Sequence, residues 1–178
     1  MPKVIENLRE TIILGAKNIL LTEGFKDLNI REIAKNCNIG TGTFYNYFST
    51  KEELVSEIFR DDWNKVSNLV EALKITDEPC KEKFRKIYTS IKLFVSSYIT
   101  IFYEMATING NNNRCTEANR YEVLYTKISE LLDIEKAKGN ILSSLSSYKL
   151  AELIVSNLMY INNNKFISFD ELYDNLKM

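Results

Sequence analysis

The sequence predicts an all-α chain in two parts, a small N-terminal set of short helices followed by a larger helical bundle. Three observations carry this expectation. Only 6 glycines and 2 prolines occur in 178 residues, too few to punctuate a sheet protein with many tight turns. Apolar residues recur at steps of three and four along most of the chain, the period of a helix with one buried face. Helix-start signals stand where those stripes begin. A chain this long buries roughly 68–70% of its unfolded surface, so its 45% hydrophobic content supports folding without disulfide or metal.

The elements follow in order. Val4, Leu8, Ile12, Ala16, Ile19 and Leu20 share one face and predict a helix over 4–23, with Gly24 as its stop. Asn29 and Glu32 form a capping-box pattern that opens a short helix from Ile30 to Cys37. Asn38, which tolerates a left-handed backbone, ends it. A second short helix is expected over 41–47. Ser49 and Thr50 before Glu52 and Glu53 give two overlapping capping boxes, and the helix they open runs to about Lys74. Asp77-Glu78-Pro79 begins the next, with acids near the positive dipole end and proline in the first turn. Phe84, Tyr88, Ile91, Val95, Tyr98, Phe102 and Met105 extend it at alternating steps of 4 and 3. A loop is expected at Asn109 to Asn113. Tyr121, Leu124, Tyr125, Ile128, Leu131 and Leu132 mark a helix ending near Gly139, and Leu150, Leu153, Ile154, Leu158 and Ile161 mark another, with a loop at Asn162 to Asn164. Ser168 with Glu171 caps a last short helix to about Leu176.

Composition excludes several function classes. The absence of histidine removes the commonest general base and metal ligand, together with every Ser/His or Cys/His nucleophile. No titratable cluster suggests catalysis, so no enzyme, metal site or cofactor is expected. Cys37, Cys80 and Cys115 stand 43 and 35 residues apart without a Cys-x-x-Cys pair, and read as reduced thiols. The N-terminus has no secretory pattern. The longest uncharged apolar run, Leu93 to Tyr103, falls short of the ~20 residues that span a bilayer. A soluble, cytoplasmic protein without a membrane partner is expected.

The informative stretch is Asn29 to Lys51, two short helices joined by a tight turn. Ala34 allows a close crossing, Asn38 makes the turn and Ile39 plugs the corner. Ile33, Cys37, Phe44 and Tyr47 are expected inward. Such spacing suits a helix-turn-helix, whose second helix enters the major groove of DNA. Its exposed face then carries Thr41, Gly42, Thr43, Tyr45 and Asn46. Thr and Asn can bond base edges, and Gly42 permits close approach. Tyr45 and Lys51 suit phosphate oxygens. Charge tempers this reading. Residues 1 to 60 hold 8 basic and 8 acidic side chains, and residues 28 to 51 hold Arg31, Lys35 and Lys51 against Glu32, so a shallow salt dependence is expected.

The residues Arg9, Ala16, Leu20, Gly24-Phe25, Ile30-Arg31-Glu32-Ile33-Ala34, Gly42-Thr43-Phe44-Tyr45-Asn46-Tyr47-Phe48 and Lys51-Glu52-Glu53-Leu54 together resemble the DNA-binding domain of the TetR (tetracycline repressor) family. The resemblance implies a helix-turn-helix domain over 1–50 and a helical effector-binding and dimerisation domain over 51–178, with 51–74 as the connecting helix. It also implies a bacterial repressor that binds a near-palindromic operator in double-stranded DNA as a homodimer and is released by a small-molecule effector. Thr43, Tyr45 and Asn46 match recognition-helix contacts, and Arg31 and Lys51 match residues flanking phosphates. Three positions depart from the family pattern: Asn38 replaces Gly, Gly40 replaces a capping Ser, and Thr41 replaces a basic residue. Tyr88, Ile91, Tyr98, Phe102, Tyr121 and Tyr125 are candidate pocket residues, apolar walls with a few hydroxyls. With no charge expected on an inward stripe, an apolar or aromatic effector is favoured. The alternative is a helical partner-binding module whose N-terminal motif serves only packing.

Overall fold

The computed structural model describes residues 7–109, 118–163 and 168–175, and every regular element among them is an α-helix. These are α1 (Leu8–Asp27), α2 (Ile30–Asn36), α3 (Thr41–Tyr45), α4 (Lys51–Lys74), α5 (Cys80–Asn109), α6 (Ala118–Ala137), α7 (Ser147–Asn163) and α8 (Phe169–Asn175). They group into two compact units. One runs to Asp61 and takes in α5 from Tyr98 onward; the other comprises Asp62–Ser97 and the described residues of α6 to α8.

The first unit is a head of one long helix, α1, and two short ones, α2 and α3, closed by the start of α4. α1 breaks at Gly24, whose φ of 86° and ψ of 178° suit a residue without Cβ. Asn29 caps α2 by accepting from the Arg31 amide at 2.9 Å, while Glu32 makes no return bond among the described residues. α2 ends with Asn38 at φ 55°, where the Asn38 amide bonds Lys35 O and the Ile39 amide bonds Ala34 O. That pair of bonds satisfies the last carbonyls of the helix. Thr50 Oγ1 accepts from the Glu53 amide at 3.0 Å and Glu53 reaches back to the Ser49 amide, so one of the two expected capping boxes forms, shifted by a residue. Ile12, Ala16, Leu20, Ile33, Phe44 and Phe48 fill the core.

In the second unit α6 packs on α7, burying Leu124, Ile128 and Leu131 of the one and Leu150, Ile154 and Leu158 of the other. α8 lies on α5, where Arg85 holds Asp170 through two bonds of 3.2 and 2.7 Å and Tyr88 stacks on Phe169 at 5.3 Å. Ser168 and Glu171 exchange the bonds of a capping box.

Four expectations are corrected. Tyr47, expected inward, is 40% exposed, while Phe48 beside it is buried, because α3 ends at Tyr45 and the helical period does not continue through the turn. α7 continues to Asn163; asparagine is a weak helix former rather than a breaker, and the preceding stripe carries it. Pro79 precedes α5 and its carbonyl accepts from the Lys83 amide, the role of a cap rather than of a first-turn residue. Lys83 and Glu135 are charged, inward and buried, against the expectation of a core without charge. The expected loop beyond Asn109, with Cys115, lies outside the described residues. By length and composition alone, Cys80–Ile108 is apolar enough to cross a bilayer, although the uncharged run within it is short.

Candidate nucleic-acid interface

The geometry of α2, its turn and α3 rests on packing. Phe44 is wholly buried, meeting Phe48 at 5.8 Å and the edge of the Tyr45 ring at 5.6 Å. With Phe44 fixed inward, α3 turns its other residues out. Thr41, Gly42, Tyr45 and Asn46 are exposed and Thr43 is half-buried. A Cβ placed on Gly42 would meet nothing within 4 Å, so this surface is open to a large partner. Asn46 is the C-cap of α3, and Gly40 at the N-cap supplies no side-chain bond. The Arg9 guanidinium sits 5.1 Å from the Phe48 ring centroid and pairs with Glu57 at 2.8 Å, tying α1 to α4 behind α3. Cys37 packs beneath α1 with its thiol 3.7 Å from Thr11 O, and burial pushes its pKa up, as suits an inert packing residue.

Beside α3 the head forms an open concavity of about 650 Å³, lined by Arg31, Thr41, Tyr45 and Lys51 together with Lys26, Asp27, Leu28, Asn29 and Ile30. Four of the seven candidate residues therefore share one hollow, while Gly42, Thr43 and Asn46 lie outside its lining. Three cations line it against the single carboxylate of Asp27. Lys51 is held in place: its ammonium donates to Phe25 O at 2.7 Å and to Lys26 O at 3.5 Å, and stands 4.2 Å from the Phe25 ring centroid. Lys26 and Asn29 were not legible as site residues. The stop at Gly24 is the one local signal that the chain turns its backbone and Lys26 toward this surface.

The candidate pocket residues separate into different surroundings. In the first unit Tyr98 is fully buried and Phe102 half-buried, both against Phe59 at centroid distances of 4.8 and 4.7 Å. In the second, Ile91 is buried in the core, Tyr88 stacks on Phe169, and Tyr121 stacks on Tyr125 at 6.3 Å while its edge meets Trp63 at 5.5 Å. Among the described residues no group of His, Cys, Asp or Glu is arranged to hold a metal ion.

Residues 12–58 match the family described as bacterial regulatory proteins, tetR family. An HTH-type transcriptional regulator of Haemophilus influenzae is 24% identical over 169 residues, covering 92% of this chain and 87% of that protein. Among solved structures, Salmonella enterica GusR superposes with a TM-score of 0.71 at 16% identity, covering 98% of this chain and 93% of that one. Thermus thermophilus FadR, a TetR-family repressor solved with lauroyl-CoA, gives 0.64 at 19% identity, covering 94% and 91%.

Proposed function

We propose that this chain, which belongs to the TetR family of transcriptional regulators rather than to any class of enzyme, is a cytoplasmic repressor that binds a near-palindromic operator as a homodimer. The observation that carries the reading is the outward face of α3, Thr41, Gly42, Thr43, Tyr45 and Asn46, set beside a cationic hollow. Thr43 and Asn46 present the groups that read base edges in the major groove. Tyr45, Arg31 and Lys51 flank the hollow where a phosphate would seat. A twofold dimer requires matching half-sites about 34–36 Å apart or a multiple of that spacing. Dimerisation is supported by apolar side chains left exposed on the α6–α7 pair, Val123, Tyr148 and Leu153.

A small apolar or aromatic effector, bound in the helical domain, would favour a dimer with misplaced recognition helices and so oppose DNA by linkage. The aromatic residues of α5 and α6 support that chemistry. A melting-temperature screen of apolar metabolites should be extended to fatty acyl-CoA, an apolar chain on a polyanionic carrier, because a fold neighbour was solved with one.

The test of DNA reading is substitution, measured by gel shift on a duplex enriched by the protein itself. Thr43→Ala and Asn46→Ala should each cost roughly 1–3 kcal/mol at particular base pairs and relax specificity there, whereas Tyr45→Phe should weaken all sequences alike. Equal affinity in every variant contradicts the assigned roles.

A further inference from the structure

We propose that Glu104 is a positioning residue for DNA binding: its carboxylate clasps the Phe25–Lys26 backbone and thereby fixes the cationic ledge beside α3. The inference rests on the DNA-binding reading above and adds a residue that no feature of the helix-turn-helix contains.

The clasp is built from opposite charges on the two sides of one peptide. At Gly24 the backbone leaves α1, and the Phe25 and Lys26 amides point at α5, where Glu104 Oε2 accepts from them at 2.7 and 3.2 Å. On the other side the Phe25 and Lys26 carbonyls accept from Lys51 Nζ at the start of α4. The Phe25–Lys26 peptide is thus pinned between an anion at its N–H and a cation at its C=O, an arrangement in which each bond polarises the other. The fit is close. A Cβ on Gly24 would stand 3.0 Å from both carboxylate oxygens, so the carboxylate occupies the space that glycine leaves.

Lys26 and Lys51, whose backbone and ammonium the clasp holds, both line the hollow beside Arg31 and Tyr45. Without Glu104 two amides lose their acceptor, a part-buried one at Phe25 and an exposed one at Lys26; water can serve the second, but the first must find a new partner, an incentive for the segment to rearrange. Lys26 then loses its fixed place and Lys51 its well-placed carbonyl partners. The sign of the effect separates this role from bulk electrostatics. Removing a negative charge from a DNA-binding head should by charge alone tighten binding to phosphates. Removing a positioning clasp should weaken it.

The experiment uses full-length protein and a duplex enriched from a random-sequence pool by the wild type, with fluorescence anisotropy as the readout. Glu104→Ala should weaken binding at least about fivefold on enriched and unrelated duplexes alike, consistent with the loss of backbone positioning rather than of base reading. Glu104→Gln keeps an acceptor oxygen and should stay within about threefold of wild type, because the amides need an acceptor more than a charge. Hydrogen exchange should show protection at the Phe25 and Lys26 amides lost in the alanine variant and kept in the glutamine one. The inference is overturned if Glu104→Ala binds as well as or more tightly than wild type, or if the two variants lose affinity equally. If the wild type enriches no duplex, the DNA-binding reading fails and this inference with it; unchanged amide protection in Glu104→Ala refutes the clasp alone.

Discussion

Lys83 and Glu135 are both almost wholly shielded from solvent, with Nζ and Oε1 2.8 Å apart. Burial acts to raise the Glu135 carboxyl, but hydrogen bonds from Lys83 and Asn140 outweigh it and hold the group below its usual range. The Asn140 amide nitrogen takes the second oxygen at 2.7 Å, and Lys138 approaches the first at 3.8 Å. Such a pair contributes little net stability compared with a well-packed apolar substitute, yet breaking it strands a charge. Lys83→Met should therefore destabilise the protein by about 3 kcal/mol, the low end of the usual cost because Asn140 and Lys138 remain. Lys83→Met with Glu135→Leu should recover most of that loss. Urea unfolding of the two variants checks both, and a single variant as stable as wild type would show that the site admits water. Nothing in the local sequence announced the pair: Lys83 sits directly beside the Phe84 stripe, and only α6 explains why it turns inward.

At the scale of elements, α8 is too short to be stable alone and depends on what it meets. Arg85 and Lys81 of α5 grip Asp170, Lys81 also bonds Asp174 at 2.6 Å, and Arg85 lies over the Phe169 ring. Hydrogen bonds from Arg85, then Lys81, lower the Asp170 pKa from 3.8 to about 2. A depressed carboxyl pKa means the folded state binds fewer protons, so its contribution is present above pH ~4 and disappears as pH falls through about 2. Melting temperatures of wild type and Asp170→Asn should differ by a constant amount above pH ~5, draw together as pH falls below about 4 and converge only below about 2. A gap that does not narrow would separate α8 docking from this ion pair. Local chemistry made elements legible: the Ser168–Glu171 and Thr50–Glu53 boxes, the left-handed Asn38 and the bounds of α4 all follow from residues within four positions of one another. The outward face of α3 was legible for the same reason. What was not legible depends on partners far along the chain. Glu104 meets residues 78 and 79 positions away, and no periodicity reports that. Tyr47 was expected inward and is exposed because a helical period was extended through a turn, while Phe48 is buried.

For the whole molecule, the charge that can meet DNA is sparse and its arithmetic is testable. In the head, Arg9 and Arg60 are both committed to Glu57, whereas Lys51 bonds only neutral backbone carbonyls and keeps its charge. Lys26, Arg31 and Lys35 make no ion pair among the described residues, which with Lys51 leaves four such cations per head and eight in the proposed dimer. Each phosphate neutralised contributes about −0.9 to the slope of log K against log salt, so an eight-contact complex should show a slope of about −7. Anisotropy titrations between about 50 and 300 mM KCl measure it, and Arg31→Ala should reduce its magnitude by about two in the dimer, one contact from each head. A slope much steeper than about −7 would require a second cationic surface on the dimer. A slope of about −3.5 would mean that a single head engages the duplex, and the twofold arrangement would then have to be abandoned even if the base-reading roles of Thr43 and Asn46 survive.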